Sequence, residues 1–248
     1  MKPFFTMLKI EGRLSIRDMN MVIFAIIMPA IVLIILGVIY GQKPAFIGAE
    51  YSFLEQSFGA LCTISICAGG LMGLPILISE YRERKILKRF QVTPISPALI
   101  LSVHLFIYVI YSIASLILLL FMAKIFWGFQ MRGSILAFLG GFALVMISIL
   151  SIGILVGGVA KNSKSASVIA SVLYFPMLVF SGATLPYEIM PSVMQNIVDI
   201  MPLTQGIKIL KAAVLGQSYG NVIIPIIIML TISILCIGGS LKFFRWET

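Results

Sequence analysis

Apolar residues run along this chain in six stretches, at roughly 21–40, 55–79, 98–123, 134–160, 166–185 and 221–241, with short polar segments between them. The first, from Met21 to Tyr40, is about 20 residues, or ~30 Å as a helix, which matches the hydrocarbon thickness of a bilayer. Backbone groups in hydrocarbon need partners within their own segment, so each run predicts a spanning helix. The fifth carries two interruptions, Pro176 and Gly182. The expected fold is an all-α integral membrane protein with six spans in one domain over residues 1–248.

Three segments outside the spans carry helical patterns of their own. In residues 1–20, Lys9, Arg13 and Arg17 recur every four residues, with Phe4, Met7, Ile10 and Leu14 mostly opposite them. That predicts a helix lying at the membrane surface, with Asp18 at its end and Glu11 as an intruder on its apolar side. A basic tail that only sets topology would carry the same cations. In residues 186–217, polar Ser192, Gln195, Asn196 and Asp199 alternate with apolar Val193, Ile197, Ile200 and Met201, between Pro191 and Pro202. A second pattern sets apolar Ile207, Leu210 and Val214 against Lys208 and Lys211. Neither can span, so two short amphipathic helices in or dipping into the outer leaflet are expected, a folded external loop being the alternative.

The third segment, residues 80–97, is the most charged. Glu80, Glu83, Arg82, Arg84, Lys85, Lys88 and Arg89 surround Ile86, Leu87 and Phe90, and the segment closes on Thr93-Pro94 and Ser96-Pro97. Glu80 and Arg84, four apart, support a helical turn. Ile86, Leu87 and Phe90 give it an apolar ridge that lipid or a partner must cover. Ser96-Pro97 reads as the cap and first turn of the next span.

Composition agrees. The 248 residues are 60% hydrophobic and 11% charged, with mean hydropathy +1.11; soluble domains carry roughly a quarter charged residues. The net charge of +9 does not point to nucleic acid, because the cations fall between the apolar runs. Thirteen Lys and Arg sit on the side that holds both termini and residues 80–97, and five on the other. By the positive-inside rule the termini and residues 80–97 are cytoplasmic; the expected location is the plasma membrane, crossed several times. Residues 2 to 18 are too charged for a signal-peptide core, so the first run is expected to stay as a span.

Candidate chemistry is sparse. No G-x-x-x-x-G-K-S/T phosphate loop, no H-E-x-x-H and no Cys/His cluster occurs, so neither nucleotide nor metal is expected on this chain. Cys62, Cys67 and Cys236 lie in apolar runs and read as small packing residues, and His104, near the start of the third span, as a packed or hydrogen-bonded side chain. Acids are nearly absent from the spans, which argues against an ion-coupled carrier or channel. An intramembrane enzyme would need a nucleophile–base pair or ligands that His104 alone cannot supply. Three G-x-x-x-G pairs, Gly37/Gly41, Gly69/Gly73 and Gly153/Gly157, predict close helix contacts within the chain or between subunits.

The segment EYRERKILKRFQVTPIS resembles the cytoplasmic loop of type-2 ATP-binding-cassette (ABC) exporter permeases. IRDMNMVIFAIIMPAIVLIILG, with Arg17, Asp18 and Pro29, resembles that family's approach to the first span, although Met19 stands where a proline is common. SGATLPYEIMPSVMQNIVDIMPLTQGIKIL resembles its signature before the last span through Ser181, Gly182, Pro186, Pro191, Pro202 and Leu203. The likeness implies a permease without catalysis of its own. It implies a second copy or a paralogue, and separate ABC ATPase subunits that use ATP and Mg. It further implies a coupling helix within residues 80–97 formed by Glu80, Arg82, Glu83, Arg84, Lys85, Leu87, Phe90, Thr93 and Pro94. Ser181, Gly182, Pro186, Pro191, Ile197 and Pro202 would belong to an outer gate, and the small external loops suit a drug, antibiotic, peptide or lipid-like substrate.

Overall fold

The computed structural model describes residues 2–17, 19–46, 48–86, 97–180, 191–217 and 219–243. Helix α1 (Lys2–Arg17) precedes a first span built from α2 (Met19–Val22), a π turn (Ile23–Ile27) and α3 (Met28–Tyr40). The second span joins α4 (Phe53–Cys67), a second π turn (Ala68–Gly73) and α5 (Leu74–Glu83). Then come α6 (Pro97–Trp127), α7 (Ile135–Val159), α8 (Ser163–Phe180), the short α9 (Ser192–Val198), α10 (Pro202–Leu215), a 3-10 turn (Tyr219–Val222) and α11 (Ile223–Phe243). Six helical spans are long and apolar enough to cross a bilayer, and no strand occurs among the described residues. Pro176 lies inside α8 without ending it, and Gly182 falls outside the described residues.

Local chemistry fixes several helix ends. Ser52 and Glu55 form a reciprocal capping box at the start of α4: the Glu55 amide donates to Ser52 Oγ at 3.1 Å, and the Ser52 amide to Glu55 Oε2 at 2.9 Å. Met201 precedes Pro202 at the first turn of α10, which closes on Gly216 in the left-handed region, φ 67°. Ser65 Oγ donates to the Ala25 carbonyl at 2.6 Å, tying the second span to the π turn of the first.

The second span is the axis of the fold. Within its most apolar window 78% of residues are buried, against 22% in the fifth and sixth spans, whose exposed Val172, Ile224, Ile234 and Leu235 are side chains that lipid can cover. Glycines bring α7 onto this axis. A Cβ on Gly153 would lie 2.0 Å from the Gly70 carbonyl oxygen, and one on Gly157 would lie 2.9 Å from Ile78 Cβ, so only glycine permits this backbone approach. Gly69 and Gly73 meet Tyr108 and Met21, and Gly37 meets the Trp127 ring. Gly41 ends α3 at φ 53°.

Two segments pack through residues that their patterns leave out. Helix α10, expected in or dipping into the outer leaflet, turns Leu203, Thr204, Gln205, Ile207, Leu210 and Val214 inward, where all are buried. It packs on α4 and α7, and a Cβ on Gly59 would meet the Lys211 backbone nitrogen at 2.8 Å. Its buried Thr204 and Gln205 blur the amphipathic pattern, which made it read as shorter and more peripheral. In α1 the packed side is Phe4, Met7, Leu8, Glu11 and Ser15, whereas Ile10 and Leu14 are exposed beside Lys9, Arg13 and Arg17. Glu11 is therefore part of the contact rather than a flaw in it.

Candidate functional site

Helix α5 carries the second span out of its apolar region. Leu71, Leu74, Pro75, Ile78 and Arg82 recur every three or four residues and form one buried stripe. Arg82 is 6% exposed. Its Nη1 donates to three carbonyl oxygens, of Gly158 at 2.7 Å, Gly157 at 3.1 Å and Ala160 at 3.2 Å. Ser79 Oγ donates to Gly157 as well, at 3.3 Å. These are the end of α7, where carbonyls have no partner further along the helix and where a cation is favoured by the helix dipole.

The adjacent side chain takes the other half of the same turn. Glu83 Oε2 accepts from the Ser163 amide at 3.0 Å and from Ser163 Oγ at 2.7 Å. Ser163 begins α8, where amides lack partners and negative charge is favoured. Asn162 caps the same helix, its Oδ1 accepting from the Ser165 amide at 2.8 Å. Two consecutive residues of the second span thus complete the end of the fourth span and the start of the fifth.

The remaining described charges of this stretch face outward. Glu80 and Arg84 pair at 2.7 Å on the surface, as their spacing predicts, a contact worth roughly 0–1 kcal/mol. Lys85 is exposed and takes the left-handed conformation, φ 54°. It ends α5 and turns the chain, its amide bonding the Arg82 carbonyl at 2.9 Å. Leu87, Phe90, Thr93 and Pro94 lie outside the described residues, as do Asp18, Ser181, Gly182 and Pro186.

Helix α1 joins this region from the side. Tyr81 Oη donates to Glu11 Oε2 at 3.0 Å, and Ser15 Oγ and Tyr111 Oη are 2.9 Å apart. His104 is buried with its ring edge-on to Tyr81, at 4.9 Å between centroids, and its Nε2 is 3.9 Å from Glu11 Oε2. Lys9, Arg13 and Arg17 remain on the exposed side of the helix.

On the opposite face, charges pair with one another. Lys208 Nζ meets Asp199 Oδ1 at 2.7 Å, joining α10 to the end of α9, and Gln205 donates to the Asp199 carbonyl. Arg132 reaches Glu55 at 3.4 Å and bonds the Glu50 carbonyl. Ile197 is 57% exposed, whereas its neighbour Val198 is 1% exposed and carries the packing of α9. Pro191 is exposed and Pro202 opens α10. A cavity of about 520 Å³ lies between the start of α7, α10 and the start of α11, lined by Arg132, Ala137, Gly141, Ile209, Ala213 and Ile226. Among the described residues no group of three or more His, Cys, Asp or Glu could hold a metal.

In the sequence Arg82 reads as one more surface charge of the stretch, and the structure turns it inward instead. The signal was present: continuing the apolar stripe of the second span by one turn places residue 82 on the buried side. For Glu83 no such signal exists, because Ser163 is far away in sequence.

The sequence model of a family described as "ABC-2 type transporter" matches residues 2–215. The chain is similar to "Inner membrane transport permease YhhJ" of Escherichia coli (strain K12), 29% identical over 169 residues, which are 66% of this chain and 43% of the relative. It is similar to "Nodulation protein J" of Sinorhizobium fredii, 29% identical over 117 residues, 47% of this chain and 42% of the relative. It is also similar to "Probable multidrug ABC transporter permease YbhS" of Escherichia coli (strain K12), 23% identical over 175 residues, 70% and 45% of the two chains. The chain thus spans less than half the length of these three relatives.

Proposed function

Because the chain belongs to the ABC-2 type transporter family, we propose that it is the membrane permease of an ATP-driven exporter, carrying a hydrophobic or amphipathic substrate out of the cell. The observation that carries this reading is the family match, over 2–215, on a bundle of six apolar helices. The multidrug label on one relative's name points to the same substrate class. Separate ABC ATPase subunits bind ATP and Mg, and a second permease, identical or paralogous, completes the pathway. The charge count, thirteen against five, sets α1, the α5 end and the α7–α8 turn on the cytoplasmic side. Proline-flanked α9 and α10 then stand at the external gate together with the segment around Ser181, Gly182 and Pro186.

Docking falls to the segment after Glu83. Glu80, Arg84 and Lys85 set orientation, Leu87 and Phe90 fill an apolar cleft of the ATPase, and Thr93-Pro94 ends the segment. Burial of a Leu or Phe contributes about 1.5–3 kcal/mol, and an exposed ion pair roughly 0–1 kcal/mol. Leu87→Ala with Phe90→Ala should therefore release the co-expressed ATPase while the permease stays inserted, and Lys85→Ala should do much less. Co-purification of the ATPase with each variant measures this. Retention of the partner and of coupled activity by the double variant would leave the loop as a topology signal only.

A further inference from the structure

Three junctions unused by the docking reading stand out: the outer cavity at Arg132, the Glu11–Tyr81–His104 contact, and the double cap made by Arg82 and Glu83. The third is carried furthest by geometry. Resting on the permease reading above, we propose that Arg82 and Glu83 are positioning residues for transport, which clamp the α7–α8 turn to the root of the docking segment. The fourth and fifth spans then move with the second as one body.

A displacement of the loop that follows Glu83 passes covalently to the second span behind it and to α6 ahead of it. Nothing covalent links that loop to α7 or α8. Among the described residues, Ser79, Arg82 and Glu83 make polar ties between α5 and that turn. Arg82 holds the negative end of one helix and Glu83 the positive end of the next, so the dipeptide matches both macrodipoles in a single step along the chain. Apart from the bond between Glu83 and the Ser163 hydroxyl, each bond also satisfies a backbone group that its own helix cannot. Beneath them Gly157 sits against Pro75 and Ile78 with no room for a side chain, so contact at this end of the bundle is backbone on backbone. The fifth span depends on this joint most, since so little of it is buried elsewhere.

The exposed pair Glu80–Arg84 lies in the same charged stretch and touches neither helix end, which provides an internal control. Neutralising Arg82 and Glu83 should free the turn from the loop, and neutralising Glu80 should not.

The test uses the permease purified with its ATPase subunits in lipid nanodiscs, with Cys62, Cys67 and Cys236 replaced and spin labels at Leu77→Cys on α5, a part-exposed site, and at Lys161→Cys, an exposed one. In the otherwise unaltered protein the distance between labels should be the same without nucleotide and after trapping with ATP and vanadate. With Arg82→Gln and Glu83→Gln it should shift on trapping by about one helical turn, ~5 Å, while ATP hydrolysis continues. Arg82→Lys with Glu83→Asp, which keeps both charges, should restore the fixed distance; a role in folding alone would not make the shift depend on nucleotide. A distance that stays fixed in the double Gln variant during hydrolysis overturns the proposal.

The permease alone separates this from failure of the exporter reading. There Glu83→Gln should speed hydrogen exchange at the Ser163 amide. If no ATPase accompanies the unaltered permease, the exporter reading fails while that faster exchange still supports the joint. Unchanged exchange overturns the clamp whatever the ATPase does.

Discussion

The two faces of this protein differ in how buried charge ties one helix to another. On the face that carries α1, Arg82 and Glu83 spend their charges on groups at the ends of two other spans, while the Glu80–Arg84 pair stays on the surface. On the other, Lys208 pairs with Asp199 and Arg132 with Glu55, side chain to side chain, although Arg132 also holds the Glu50 carbonyl and Glu55 caps its own helix. A charge bonded to a helix end fixes the position of a whole span, because the backbone it holds cannot swing away. A pair of side chains can separate by rotation about a few single bonds. Under the joint proposed above, the first face transmits displacement, whereas the second holds α9 to α10 by a pair that bond rotation can part.

The comparison breaks most severely where backbone meets backbone. Gly153→Leu should prevent α7 from reaching the second span, since its Cβ would overlap the Gly70 carbonyl. Little monodisperse protein should survive size exclusion, whereas Gly140→Ala, with nothing within 4 Å of the new Cβ, should behave as the unaltered chain. Next in size is α9. Val198→Asp forces an unpaired carboxyl into a buried position and should cost about 3 kcal/mol or more, and Ile197→Asp, on the exposed side, less than ~0.5 kcal/mol. Thermal melting of the two in detergent ranks them, and equal effects would show that α9 does not pack. The smallest contrast sharpens the distinction between faces. Arg82→Met leaves carbonyls unpaired at about 1–3 kcal/mol, a loss that salt should hardly alter because the guanidinium is buried. Asp199→Asn should cost about 0–1 kcal/mol and lose even that in high salt. Melting at two ionic strengths measures both, and an Arg82 effect that fades with salt would place its charge at the surface.

How much of this was legible follows from which constraint acts. Lipid demands long apolar helical runs, so the six spans read directly, although the second runs past its expected end at residue 79 to Glu83 and the fifth continues through Pro176, which reads as an interruption. The Glu80–Arg84 pair read from its spacing, and His104 as a packed side chain. Burial of polar residues did not read. Thr204 and Gln205 in α10, Glu11 in α1 and Arg82 in α5 each lie on a packed side, where hydropathy argues against them and only the phase of the helix argues for them. Glu83 with Ser163 and Lys208 with Asp199 depend on how helices are arranged, which no local pattern contains.

The π turn at Ala68–Gly73 carries a consequence for sequence register. A π turn holds one residue more than an α turn, so it is a single-residue insertion absorbed without breaking the helix. Removing one residue there would restore ordinary α geometry and lose no backbone partner. Residues beyond it would keep their direction about the helix axis, because the smaller rotation per residue in the π turn already offsets the extra one. Forcing α geometry on the turn with no residue removed would instead rotate α5 by about 100° and swing Arg82 off the end of α7. The extra residue and the wider turn therefore set together which residues of α5 face the fourth span, and an alignment that closes the gap elsewhere would assign the wrong residue to the joint.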